Sequence, residues 1–182
     1  MQWACNNIPC ECTFNMTYKL GAGDSTVHAS VTLDNHRSDQ TEYGFYDQEF
    51  PAVYVNGFLY RLYTYTGDAP WTNQPMEEIN VGFENNFWVP GKVNCTESFA
   101  ILANDDGFGV GVYNAGADVD AILLGFFGEK GSGGTSDSAT GYMAPTGTLS
   151  LQWNEVYTYE YVLMMGNIDQ IRSKFYTLHQ EE

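Results

Sequence analysis

Basic residues are what this sequence has least of. Seven Lys and Arg stand against 23 Asp and Glu, a formal net charge of -16. A phosphate backbone or an anionic bilayer surface would be repelled, so neither nucleic acid nor an anionic membrane is an expected partner. Charge of either sign is scarce, at 16% of residues beside 43% hydrophobic ones. That balance excludes a disordered acidic tail. No apolar run approaches the length of a membrane span, so membrane insertion is not expected. Four cysteines form no Cys-x-x-Cys pair and have no His close by in sequence, which removes a zinc finger. A Gly-x-Ser-x-Gly elbow is missing, and the Gly/Ser/Thr-rich stretch 128–141 lacks the Gly-Lys-Ser/Thr ending of a phosphate loop. Met1-Gln2-Trp3-Ala4-Cys5 shows neither the basic nor the apolar region of a leader. The expectation is a removed leader or a chain that is a piece of something longer.

What is present is aromatic and punctuated. Thirteen Tyr, eleven Phe and four Trp are spread among 19 Gly. Short strands joined by glycine turns predict an all-β sandwich. Residues 13–20 alternate, with Phe14, Met16, Tyr18 and Leu20 on the face predicted to be buried. Residues 26–34 alternate again, with Val27, Ala29, Val31 and Leu33 inward, so the two runs read as a hairpin. The Asn56-Gly57 pair between Val53-Tyr54-Val55 and Phe58–Thr66 reads as the type I′ turn of a central hairpin. Pro51 removes a ladder donor, so the first strand begins after it or lies at a sheet edge. Residues 67–97 are broken by Pro and Gly into loops and short strands. Strands follow at 98–103 and 108–113 about the turn Asn104-Asp105-Asp106-Gly107, and then at 121–127, within 142–153 and at 156–165. Gly109 and Gly111 leave one strand face bare, open to a neighbouring backbone, ring or ligand. Asn167 and Gln170 open a short C-terminal helix carrying Ile168, Ile171, Phe175 and Leu178. The expected architecture is one domain over 1–182, a mostly antiparallel, supersandwich-like β-sandwich with that helix.

Cys5, Cys10, Cys12 and Cys95 suggest two disulfides in an oxidising compartment. Three connectivities are open, and one bridge is expected to tie the N-terminal segment to Cys95. The sequons Asn15-Met16-Thr17 and Asn94-Cys95-Thr96 point the same way, to an extracellular glycoprotein. Glu49 with Asp47 or Glu42 could form an acid pair for glycoside chemistry; alternatively Glu49 bonds to backbone or to Arg61. His36-Arg37-Ser38-Asp39 reads as a polar turn before it reads as an anion site. No cofactor is expected beyond a candidate calcium pair at Asp105 and Asp106, near Asp118 and Asp120, on a stretch that reads first as a hairpin turn. Trp71, Trp88, Tyr60 and Tyr63 are the aromatics expected to meet a glycan or a partner.

Several phrases, taken in order, resemble a known group. They are Gln48–Tyr54, Tyr60–Asp68, Asn104–Tyr113, Thr140-Gly141-Tyr142 and Tyr159-Glu160-Tyr161. They look similar to the C-terminal part of a poorly characterised group of secreted β-rich proteins that resembles the galactose-mutarotase-like supersandwich. The resemblance implies further β structure ahead of Met1. Its phrases are structural, so no catalytic residue is carried over. The expected function is therefore non-catalytic: a structural, self-assembling extracellular glycoprotein with glycan contacts, its partners being itself and glycans. The alternatives are a carbohydrate-binding module and a mutarotase-like or polysaccharide-active domain.

Overall fold

The structure is a computed structural model that describes residues 11–182 apart from 22, 24, 85–86, 90, 115–118, 128–130 and 138–139, and leaves the side chains of 83–84, 87–89, 124–127 and 140 undescribed. Cys5 and Cys10 and Asp118 lie outside the described residues.

The alternating runs become strands β1 (Cys12–Leu20) and β2 (Thr26–His36), paired antiparallel without a slip from Cys12↔Asn35 to Leu20↔Val27. The chain continues through β3 (Tyr43–Glu49), β4 (Val53–Asn56), β5 (Arg61–Thr64), β6 (Glu77–Ile79), β7 (Gly82–Glu84), β8 (Phe87–Val89) and β9 (Lys92–Asn94). The second half holds β10 (Phe99–Ala103), β11 (Phe108–Tyr113), β12 (Ala121–Phe127), β13 (Thr140–Leu151), β14 (Asn154–Asn167) and helix α1 (Ile168–Gln180). A seven-stranded sheet runs β1-β2-β14-β11-β10-β5-β6. It faces a five-stranded sheet, β3-β13-β12-β9 with β4 also on β13, and β7 and β8 form a separate ribbon. The all-β, antiparallel sandwich with a short C-terminal helix is as expected.

Between the sheets lie Ala29, Val31, Leu62, Ala100, Leu102, Val112, Ile122, Met143 and Tyr161, all buried. On the far side of the large sheet a second core joins Phe99, Ile101, Tyr113 and Val162 to Ile171 and Phe175 of α1. The glycine face of β11 is what lets the helix sit there. A Cβ on Gly111 would stand 2.4 Å from Cγ2 of Ile171 and 2.8 Å from the Phe175 ring. Gly109 is pressed against the backbone of Leu102 and Ala103. The helix starts where its sequence signals stand: Gln170 Oε1 accepts the Asn167 N–H at 3.1 Å, and the Ile168 N–H bonds the Gly107 carbonyl at 3.0 Å.

Three expectations are overturned. Asn56-Gly57 is not a hairpin turn, because β4 pairs with β13 in one sheet while β5 pairs with β10 and β6 in the other. Asn56 instead closes a turn, its side chain accepting the Phe58 N–H at 2.9 Å and its carbonyl the Leu59 N–H at 3.0 Å. Gly57 is absent from the described glycines with positive φ, whereas a type I′ turn needs positive φ at both central residues. Pairing with distant strands outcompetes a signal that is only local. The peptide Phe50-Pro51 between β3 and β4 is cis.

Second, the apolar face of β1 is bare. Phe14, Met16, Tyr18 and Leu20 are 40%, 50%, 54% and 82% exposed, although their partners Leu33, Val31 and Ala29 on β2 are buried. Third, Cys95 is a free, buried thiol, not the far end of a bridge. Burial pushes its pKa up to about 12, with the Asp120 carboxylate adding to the effect. Cys12 is disulfide-bonded, and no complete disulfide lies within the described residues. Among the described residues no helix is long and apolar enough to cross a membrane.

Candidate functional site

The loop between β5 and β6 carries the site. Gly67 opens it, its missing side chain leaving room for the Tyr65 hydroxyl, 2.5 Å from where a Cβ would be. Trp71 and Asn73 then take left-handed conformations, φ 60° and 61°. A non-glycine residue there is strained unless its surroundings hold it. Glu97 does the holding. Its Oε1 accepts the Trp71 N–H at 2.8 Å and the Tyr176 hydroxyl at 2.6 Å. The Tyr176 hydroxyl in turn accepts the Asn73 N–H at 3.2 Å and Nη2 of Arg172 at 2.9 Å. Arg172 stands 3.6 Å from Glu97 Oε1 and lies over the Tyr176 ring at 5.1 Å. Burial and the bond to Glu97 raise the Tyr176 pKa. Thr72 closes the loop by donating to the Ala69 carbonyl at 2.6 Å.

Helical spacing brings Asp169, Arg172, Ser173, Tyr176 and Gln180 onto one face of α1. With Trp71, Thr72 and Asn73 they line a cleft of about 620 Å³. Trp71 and Tyr176 form half-buried walls, edge to face at 5.2 Å. Thr72, Asn73, Asp169, Ser173 and Gln180 are an exposed polar rim. The floor is Arg172, 9% exposed, whose Nε has no hydrogen-bond partner in the protein. Glu97, 1% exposed, likewise leaves Oε2 unpartnered. Buried donors and acceptors are normally paired, and here each member of the Arg172–Glu97 pair keeps one polar atom without a bond in the protein. The Trp71 ring is backed by His179, stacked at 3.8 Å and 14°, and by the edge of Tyr113 at 6.0 Å.

The other sequence-predicted residues are scattered. Trp88 lies on β8 opposite Phe83, and its side chain is not described. The Tyr60 hydroxyl donates to Asp105 Oδ1, and Tyr63 reaches Glu78 at 3.5 Å, so neither enters the cleft. Asp105 thereby serves a tyrosine. Asn104 Oδ1 accepts the N–H groups of Asp106 and Phe108 at 3.0 Å each, which makes the stretch the hairpin turn it resembles. Among the described residues no three His, Cys, Asp or Glu side chains converge as metal ligands.

Glu49 is exposed and lines a separate groove of about 670 Å³ with Tyr46, Asp47, Gln48, Leu123 and Tyr159. Its neighbour Asp47 bonds Lys92 at 2.8 Å and Thr148 at 2.9 Å, which together hold its carboxyl below the usual range. Arg61 pairs with Glu78 at 2.6 Å, not with Glu49. Arg37 is buried against Asp39 and lies 5.4 Å from the Tyr43 ring, so the 36–39 segment is a structural turn. His36 bonds Asn154 and faces Asp34 at 2.6 Å, while His28 lines a third cleft beside Lys19, Glu160 and Glu182. Asn15 and Asn94 are both exposed on strands.

Sequence reasoning selected Trp71 but missed Glu97, Arg172 and Tyr176. One signal was available: Arg172 and Tyr176 share a face of the predicted helix with Asp169, next to the face of Ile171 and Phe175. Glu97 carried none, since it is drawn in from 79 residues away.

No family model matches the chain, and no curated protein matches it. Among solved structures it is similar to a galactose mutarotase related enzyme from Lactobacillus acidophilus, with 14% identity and a TM-score of 0.44. That match covers 87% of this chain and 63% of the other. A likeness at that level carries nothing about activity.

Proposed function

We propose that this chain is a non-catalytic extracellular glycoprotein that contacts glycans, and that the Trp71 cleft holds a sugar ring. The observation that carries this reading is the cleft itself, walled by Trp71 and Tyr176 edge to face at 5.2 Å and lined by polar side chains. Sugars present an apolar ring face and a fringe of hydroxyls that both donate and accept. Aromatic walls match the first; a guanidinium, two amides, two hydroxyls and a carboxylate match the second. Asn15 and Asn94 are the attachment points proposed for the chain's own glycans, both accessible on their strands. Turnover is not part of the proposal: Asp47, the acid beside Glu49, is already engaged by Lys92 and Thr148.

A panel of glycans, printed as an array and then titrated by calorimetry, tests this. Gln180→Ala and Asp169→Ala at the exposed rim are expected to weaken binding at least tenfold while the thermal midpoint stays in place. Trp71→Ala is expected to abolish binding, with circular dichroism as the check on folding. Wild-type protein that binds nothing on the panel, or rim variants that bind as well as wild type, would refute the reading.

A further inference from the structure

We propose that the free edge of β1 pairs with β1 of a second copy of this chain, carrying the seven-stranded sheet across a two-fold axis. This surface lies apart from the Trp71 cleft and stands whether or not that cleft binds sugar.

Among the described residues β1 is paired on one side only, to β2. Its nine residues keep register throughout and include neither proline nor bulge, two devices by which edges are usually blunted. The apolar layer of the sandwich does not end at β2. It runs on into Phe14, Met16, Tyr18 and Leu20, which the smaller sheet leaves uncovered. Within that row the Tyr18 hydroxyl donates to Sδ of Met16 at 3.8 Å. A partner strand would complete both the hydrogen-bond ladder and the apolar row.

Charge argues for a copy of the same chain. The molecule's net charge of -16 keeps copies apart, yet β1 carries no carboxylate and one charge, Lys19. Carboxylates more than about 8 Å away are largely screened at physiological salt, so this strand is where two copies meet with least repulsion. The alternation is self-complementary as well. An antiparallel pairing about Met16 sets Met16 opposite its equivalent, Phe14 opposite Tyr18 and Thr13 opposite Lys19. No like charges meet, and one strand supplies both halves of the interface, as a two-fold axis requires.

Sedimentation equilibrium on the full chain, with the wild type run beside Asn15→Gln so that a glycan on that strand is controlled for, tests the pairing. A dimer is expected that tightens as salt rises. Met16→Cys is expected to cross-link to itself on oxidation, while Phe45→Cys, at a more exposed position on β3 (75% against 50%), is expected not to. Met16→Lys is expected to weaken the dimer at least tenfold with the circular dichroism spectrum unchanged. A monomer at every concentration and salt level overturns the proposal and leaves the edge to a different chain. A dimer that survives Met16→Lys, or cross-links as readily from position 45, overturns it by placing the contact elsewhere.

Discussion

The two ends of the seven-stranded sheet are finished in opposite ways. At one end β6 is three residues long and presents Glu77 and Glu78, with Glu78 tied to Arg61 at 2.6 Å. The neighbouring strands are roofed by α1 and by the loop that Glu97 pins. At the other end β1 is nine residues long, nearly uncharged, and roofed by nothing among the described residues. Where cover exists, polar groups have been drawn into the interior and bonded to one another. Where it is lacking, apolar groups stand in solvent. A short charged edge resists further pairing, and a long apolar one invites it. Glycan contact is accordingly proposed at the covered end and association at the bare end.

The largest expected effect lies at the covered end. Arg172→Ala strands the Glu97 carboxylate in the interior without its cation, and breaking a buried pair in this way costs about 3–5 kcal/mol. Urea unfolding should show that loss. An unchanged midpoint would mean that Glu97 is neutral or solvated and that the loop is not held as described. Gly111→Ala comes next. The added methyl meets Ile171 and Phe175, and overpacking of this kind costs about 1–3 kcal/mol. If α1 simply rides outward, the same variant should speed hydrogen exchange in the helix and leave β1 untouched.

A third effect is set by pH. The Cys95 thiol has a folded pKa of about 12, above its ordinary 9.0, so it stays neutral in the folded chain while the unfolded chain can ionise. The stability that the neutral thiol contributes should therefore be lost as pH rises above about 9, a loss complete near 12 for this group. Tyr113 and Tyr161, raised further by burial, extend the fall to higher pH. Tyr159, also lifted to about 12 by burial, adds to the fall from its own ordinary 10.0 upward. Cys95→Ala should flatten the first part of the curve. The acid side has the opposite sign. Asp47 and Asp39 are held below the usual carboxylate range by Lys92 and Arg37, so what they contribute is present above about pH 4 and lost as pH drops through their lowered values.

The smallest effect is expected at the bare end. Leu20→Ser, at a side chain 82% exposed, should shift the stability of the dilute monomer by no more than about 0.5 kcal/mol. A large shift in dilute protein would mean that β1 is covered after all, and the contrast between the two ends would fail.

Some of this molecule is written in neighbouring residues. Alternation placed β1, β2, β11 and β14. Asn104 to Gly107 turned as its composition demands, and Asn167 with Gln170 started the helix on cue. The bare face of Gly109 and Gly111 announced a close approach, though not that Ile171 and Phe175 would make it. In the site, Trp71 was legible as an aromatic outside a strand, whereas the polar face of α1 went unread although helical spacing aligns it. Glu97 was not legible, since a lone acid two residues before a strand looks like any solvated one.

By itself the sequence determined the periods, the turns that close within four residues, the helix cap and the sign of the electrostatic field. These depend on contacts only a few bonds apart, where backbone geometry leaves few choices. Tertiary structure alone decided that Asn56-Gly57 hands the chain from one sheet to the other, that Cys95 is a lone thiol, that Glu97 meets Arg172 and Tyr176, and that the apolar row of β1 faces water. Each depends on which distant strand wins the pairing, and that is settled by burial summed over the whole sandwich, a quantity that no single stretch of the chain contains.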